Sequence, residues 1–227
     1  MDLIDNVILD PINHWYYRTK FDAIHKFIPI HKPNFFILDI GAGSADFSKE
    51  LVRLYSKKAK VLAIDQAYDA PTIAKSNSQI SFSKDSFFPP ADVYLFNDVL
   101  EHVEDDTFFL KNCLKNAHRD SIIIITVPCF MSLWSQHDLD LLHKRRYSKK
   151  SLLKILLDCD LDIIHFRFLY ITLFPIALIS RYLKLRSGLQ NHNPIINRFL
   201  IFLGKVEARY LRFLPFGINC LVVCKIK

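Results

Sequence analysis

At 227 residues, 51% hydrophobic and 13% aromatic, the chain carries enough apolar material for one sizeable core, which excludes a disordered or fibrous protein. Its five cysteines form no Cys-x-x-Cys pair and no Cys/His set with zinc-finger spacing, so they read as buried, reduced thiols. The formal charge of +7 is split, −5 over residues 1–140 and +12 over residues 141–227; the second half invites a phosphate-bearing substrate, a membrane surface or a nucleic acid, unless the surplus simply serves solubility.

Met1–Asp5 has no basic stretch and no long apolar segment, and does not read as a signal peptide. Residues 11–29 predict one or two helical turns and a helix, with His14, Trp15, Tyr16, Tyr17 and Arg18 at the start. A first strand is predicted at Asn34–Ile40. A helix over Ser44–Tyr55 follows, with Phe47, Leu51 and Leu54 at i, i+4, i+7. The second strand is Lys60–Ile64, closed by Asp65, and a short helix starts after Pro71. The third strand is Gln79–Ser83, followed by Asp85; the fourth is Asp92–Phe96, ending at Asn97-Asp98. Helix Asp105–Ala117 precedes a fifth strand, Ser121–Val127, stopped by Pro128. Its run Ile122 to Ile125 lacks alternation, as a parallel strand buried on both faces should. A polar, aromatic loop leads to a helix at Lys149–Cys159 and a strand at Asp162–Phe168. A long apolar and basic segment then reaches Leu214, and Ile218–Lys225 closes the chain as a strand. Strands alternating with helices predict an α/β protein with a doubly wound, mostly parallel, seven-stranded sheet. Residues 1–227 read as one domain, with 169–214 a helical insertion before the last strand.

The segment around Gly41 and Gly43 is the most informative. A strand ends in Asp39-Ile40, a tight loop with two glycines follows, and a helix begins, which is where an open α/β sheet receives a nucleotide-like ligand. A dinucleotide fingerprint wants a third glycine where this chain has Asp46. A carboxylate there, with Asp39 just ahead of the loop, repels a pyrophosphate. Both suit a ligand with a cationic end, such as S-adenosylmethionine, which carries an ammonium and a sulfonium and no phosphate.

On these residues the chain resembles the class I S-adenosylmethionine-dependent methyltransferases, which have a Rossmann-like fold. Leu38-Asp39-Ile40-Gly41-Ala42-Gly43 resembles the family's first motif, with Ala45 where many members have another glycine. Val61 to Asp65 resembles the second, in which the acid accepts hydrogen bonds from the ribose hydroxyls. Asp85 stands where the family holds the adenine amino group, and Asp92 to Val103 looks like the fourth motif, with Asn97 beside the methionine end. The resemblance implies a cofactor site of Asp39, Gly41, Gly43, Asp65, Gln66, Asp85, Ser86 and Asn97, with Arg18 capping the cofactor carboxylate. The Val99-Leu100-Glu101-His102-Val103 segment is similar to ubiquinone-pathway O-methyltransferases. Trp134 to Asp138 and His143 to Ser148 resemble a loop of bacterial methyltransferase-domain proteins, many in envelope or lipid-linked glycan pathways.

Transfer to an alcohol or phenol benefits from a general base, and His102, His137 and His143 are the candidates. His137 and His143 come first, because their loop should cross the mouth of the site. His102 serves equally well as a support for the loop after strand four. Arg146 and Tyr147 are candidate substrate contacts, Arg145 and Arg146 suiting an anionic acceptor or simply facing water. No metal is assigned, although Asp98, Glu101, His102 and His143 could share one side of a turn and hold a divalent ion, as in some related methyltransferases. Phe168–Leu183 is apolar but shorter than the roughly 20 residues a spanning helix needs. On a helix over Pro194–Phe213, Arg198, Lys205, Arg209 and Arg212 fall within roughly one 60° arc, which suits an anionic membrane surface, a lid over a lipid, or a solvated face. The expectation is a cytoplasmic methyltransferase, either soluble or peripherally bound at the inner face of a membrane, that methylates an oxygen of a small-molecule, lipid-linked or glycan acceptor. An RNA methyltransferase and a non-catalytic cofactor-binding protein are the rivals. The first is disfavoured because the basic residues are not interleaved with aromatic platforms.

Overall fold

A computed structural model describes residues 10–55, 57–183 and 193–227; the start at Met1–Asp5 lies outside the described residues. Its centre is a seven-stranded sheet of order β3-β2-β1-β4-β5-β7-β6. The strands are β1 Phe35–Ile40, β2 Ala59–Ile64, β3 Ile80–Ser83, β4 Val93–Asn97, β5 Ile122–Pro128, β6 Leu161–Leu169 and β7 Asn219–Ile226. The first five pair in parallel, and β7 lies antiparallel between β5 and β6. This is the doubly wound α/β sheet expected, and every strand falls within one residue of its predicted ends.

The helices are α1 Trp15–Ile24, α2 Asp46–Tyr55, α3 Ala70–Ile73, α4 Asp106–Leu114, α5 Gln136–Asp140, α6 Lys149–Asp158, α7 Phe174–Tyr182 and α8 Pro194–Val206. Phe21 and Ile24 of α1 and Phe47 and Leu51 of α2 cover one sheet face, over Ile37, Leu95 and Val223. Leu110 and Cys113 of α4 and Leu152 and Leu156 of α6 cover the other, over Leu38, Phe96 and Ile125. Both faces are therefore dry, which is why the strands read as unbroken apolar runs. All five cysteines are free thiols; four are buried and Cys159 is half-buried.

Residues 11–29 form the expected turns and helix, as a 3-10 turn, α1 and a second 3-10 turn. The loop after β5 departs from the sequence reading, since it holds a 3-10 turn, Met131–Leu133, and α5. Phe168 lies in β6 as expected, and in the apolar segment beyond it α7 starts at Phe174, with Pro175 in its first turn where the missing N–H costs nothing. No described helix is long and apolar enough to cross a membrane.

The basic stripe also needs correction. A uniform α-helix to Phe213 would align Arg198, Lys205, Arg209 and Arg212, but α8 ends at Val206 and Glu207–Leu211 is a π-helical segment. There the wider turn breaks the α register, and only Arg198 and Lys205 keep their alignment. The buried Glu207 carboxylate accepts from the backbone N–H groups of Ile171 (3.0 Å) and Thr172 (2.8 Å) and from the Thr172 hydroxyl. It pins the end of α8 to the turn after β6. α8 docks on α1: the Asn197 side chain accepts from Trp15 N–H (2.7 Å) and donates to the Asn13 carbonyl (2.9 Å). Gly204 meets Thr19 so closely that a Cβ there would lie 2.6 Å from Thr19 Oγ1.

Candidate functional site

The carboxyl ends of the strands turn sharply. Gly41 after β1 has φ 68°, Asp98 after β4 has φ 55°, Phe130 after β5 has φ 62° and Tyr170 after β6 has φ 58°. Non-glycine residues held in the left-handed region cost about 1–3 kcal/mol each and gather at functional sites. Gly41 is obligatory twice over: besides its φ, a Cβ would sit 2.7 Å from Val99 Cγ2. Gly43 (φ 53°) and Ala45 (φ 56°) continue the turn, so Ala45 keeps a glycine-like backbone without the glycine. Because Ala45 is still non-helical, α2 begins at Asp46, two residues after the predicted Ser44.

Asp65 organises this edge. Its carboxylate accepts from Gly43 N–H (2.8 Å) and from Ala67 N–H (2.9 Å), tying the glycine loop to the turn after β2. A carboxylate has about four acceptor positions, so capacity remains for a ligand hydroxyl. Gln66 beside it is exposed. Asp39 is buried and accepts from the Ser48 hydroxyl at 2.5 Å, joining β1 to α2. Burial pushes its carboxyl up to about 6, against the Ser48 hydrogen bond. Tyr68 is a member of this cluster that sequence reasoning missed. Its hydroxyl is buried with no hydrogen-bond partner among the described residues. Burial, and then the charges of Asp39, Asp65 and Asp46, raise its pKa. An orphan hydroxyl in a field of three carboxylates fits a cationic nucleoside and not a pyrophosphate. Asp85 and Ser86 are exposed just beyond β3, next to Phe87, whose ring is 67% exposed.

Asn97 is buried at the end of β4, its Oδ1 2.7 Å from Thr126 Oγ1. Asp98 turns to α1, where the fully buried Lys20 ammonium pairs with it. Burial alone would raise the Asp98 carboxyl; Lys20 overcomes this and holds it low. Lys20 also donates to the Tyr16 hydroxyl (3.2 Å), and the Tyr16 ring stacks on Tyr170 at 4.7 Å. Arg18 pairs with Asp22 (2.9 Å) and lies 3.9 Å from Glu50.

The histidine loop is built around Asp138. Buried at the end of a capping box, it accepts from Ser135 N–H (2.9 Å), lies 3.0 Å from His143 Nδ1 and accepts from Arg146 Nε (2.7 Å). Burial works to raise its carboxyl, but His143 and Arg146 prevail and hold it at about 2. Arg146 also reaches the Cys129 carbonyl (3.2 Å), and the Tyr147 hydroxyl bonds the Leu100 carbonyl (3.0 Å) and Asp106 (2.8 Å). Arg146 and Tyr147 are thus buried and engaged with the protein. The His102 and His143 rings meet edge to face at 4.8 Å. Glu101, His102 and His143 offer ligand atoms within 4.8 Å of one another, a set that could hold a divalent ion, and Asp98 is drawn away from it by Lys20. His137 lies half-buried on α5. The Ser135-x-x-Asp138 pattern was a legible signal for the hub; nothing in the local sequence marks Lys20.

No protein-family model matches the chain, and no curated protein sequence matches it. Solved structures match its architecture. An S-adenosylmethionine-dependent methyltransferase from Archaeoglobus fulgidus shares 18% identity, covering 92% of this chain and 93% of its own, with a TM-score of 0.55. Another from Mesorhizobium loti shares 13% identity over 91% and 97%, with a TM-score of 0.57. The chain has the class I methyltransferase fold. That fold also serves other chemistry: the [4+2]-cyclase SpnF matches over 91% of this chain and 79% of its own, with 11% identity and a TM-score of 0.58.

Proposed function

We propose that the chain is an S-adenosylmethionine-dependent methyltransferase acting on an oxygen of a small-molecule, lipid-linked or glycan acceptor. The carrying observation is the acidic cradle at the carboxyl edge: Asp65 ties the glycine loop to β2 through Gly43 N–H, Asp39 is buried at the end of β1, and the partnerless Tyr68 hydroxyl feels the charges of Asp39, Asp65 and Asp46. Asp65 takes the ribose hydroxyls with the acceptor capacity its two backbone bonds leave, with Gln66 beside it. Asp85, Ser86 and the Phe87 ring take the adenine, and Asn97 lies at the methionine end. Arg18 reaches the cofactor carboxylate by exchanging its contacts with Asp22 and Glu50. When bound, the cofactor supplies an electrophilic methyl group on its sulfonium.

The chain's own task is to place an acceptor oxygen in line, exclude water and remove a proton. With the Nδ1 proton of His143 on the Asp138 side, Nε2 is left as the base, as in other carboxylate-oriented histidines. The acceptor hydroxyl would give its proton to that nitrogen. His102 packs against the base, and His137 lies on the same loop. Arg146 and Tyr147 hold this loop and reach the acceptor only through it.

The apolar face of α7 and α8 supports an acceptor held at an anionic membrane surface. On α8, Ile195, Phe199 and Phe202 are exposed within about a 60° arc, with Arg198 and Lys205 along its border. A peripheral position at the inner face of a membrane follows from this reading.

Incubation with radiolabelled S-adenosylmethionine and a membrane and metabolite extract tests the proposal. Label should enter a lipid or small-molecule species, and His143→Gln should cut transfer by about 100-fold or more while cofactor binding persists. Label in RNA instead would favour the RNA methyltransferase, and binding without transfer to any fraction would favour a non-catalytic protein.

A further inference from the structure

A cavity of about 380 Å³ lies between α1, β6 and α8. None of its lining residues belongs to the carboxyl ends of β1, β2 or β4. Its wall carries Lys26, Arg167, Lys205 and Arg209, together with His25 and a single carboxylate, Asp22. That carboxylate is already engaged by Arg18 at 2.9 Å. Among the described residues none of the four cations makes an ion pair. Arg167 is the innermost. It sits on the edge strand, and its Nε is buried without a hydrogen-bond partner among the described residues. Burial lowers the pKa of its guanidinium, a mark of a charge held where water does not fully solvate it.

Four cations around one cavity repel one another, and a half-buried guanidinium with an unused buried N–H is costly unless an anion compensates it, which the charge of Glu207 does only in part. Here the half-buried Arg167 and the exposed Lys26, Lys205 and Arg209 line one cavity. A guanidinium presents its N–H groups as a planar fork that matches two oxygens of a phosphate, and lysines add point charges around it. The volume is at the small end of the range for ligand pockets and admits a headgroup-sized ligand. Lys205 belongs to the cavity wall and also borders the exposed apolar arc of α8.

We propose that this cavity binds the phosphate group of an anionic ligand, with Arg167 as the central donor and Lys26, Lys205 and Arg209 around it. The site stands apart from the acidic cradle and does not require the methyltransferase reading. The phosphate comes either free in solution or on a lipid headgroup, and the chemistry of recognition is the same.

The test is binding of two probes to the full chain: inorganic phosphate by calorimetry, and phosphatidylcholine vesicles with and without phosphatidic acid by sedimentation. At least one phosphate-bearing probe should bind, more weakly as salt rises. Arg167→Gln should reduce its affinity by about tenfold or more, and the exposed pair Lys205→Gln plus Arg209→Gln by several-fold. S-adenosylmethionine affinity should stay unchanged in both variants. Response to phosphate alone identifies a free anion; response to the acidic vesicles alone identifies a headgroup. The proposal is overturned if neither probe binds, or if binding is indifferent to both variants, as it would be for vesicles held by the apolar arc only. If Arg167→Gln does not fold, the exposed pair decides. Normal phosphate binding with no S-adenosylmethionine binding would sink the cradle assignment and leave this site standing.

Discussion

The carboxyl edge of the sheet and the α7–α8 appendage break opposite rules. At the edge, polar groups hide from water: Asp39, Asn97, Glu101 and Asp138 are all under 5% exposed. In the appendage, apolar groups face it: 12 of the 22 exposed large apolar side chains among the described residues lie between Ile176 and Leu214. Buried charge costs stability unless it is paired, and large apolar patches are rare on a free surface. Both costs make sense if each region waits for something different, a cationic nucleoside at one and an anionic surface at the other.

Breaking the edge should have the largest effect. Lys20→Met leaves the largely enclosed Asp98 carboxylate without its cation and should lower unfolding free energy by about 3 kcal/mol, read by urea denaturation. Adding Asp98→Asn should restore part of it. A full-sized loss that the second change leaves untouched would mean that packing, not charge, is at stake.

The next effect concerns pH. The folded Asp39 carboxyl, at about 6, lies above its unfolded value, so the folded chain holds this proton more tightly. Its contribution is greatest below about pH 4 and falls by roughly 3 kcal/mol as pH rises through 6, at about 1.4 kcal/mol per unit. Asp39→Asn should remove that fall. Asp138 runs the other way: its carboxyl, held at about 2, stabilises the fold above about pH 4, and this is lost as pH drops towards 2. Denaturation across pH 3–7 separates the two, and a profile unchanged by Asp39→Asn would place the slope elsewhere.

In the appendage, Phe199→Glu with Phe202→Glu should lower partitioning onto acidic vesicles by about tenfold or more and leave cofactor affinity alone. Equal loss of both would show that the two regions are one. The smallest effect is at their junction: Gly204→Ala drives a methyl against Thr19 and should cost about 1 kcal/mol, net of the helix propensity gained.

The strands were legible because a sheet buried on both faces writes itself as runs such as Ile122 to Ile125. Asp39 at the end of β1 and Asp65 just after β2 were legible because the chain places them at strand ends, Asp39 directly before the glycine loop. Lys20 and Asp98 were not, since they stand 78 residues apart and only the crossing of α1 over the strand ends joins them. The π-helical break was hidden for a similar reason: Glu207 is set by the distant turn at Ile171-Thr172, while the local pattern reads as plain α-helix. Arg146 and Tyr147 looked available because their loop is polar, but Asp138 and Asp106 draw them inside.

The most direct test of the cradle is a calorimetric titration of the intact chain, and of Asp65→Ala, with S-adenosylmethionine and S-adenosylhomocysteine. One site should appear for each nucleoside in the intact chain, and affinity should drop by about 100-fold, about 2.7 kcal/mol, in Asp65→Ala. Silence with both nucleosides, or equal affinity in the two proteins, would contradict the account.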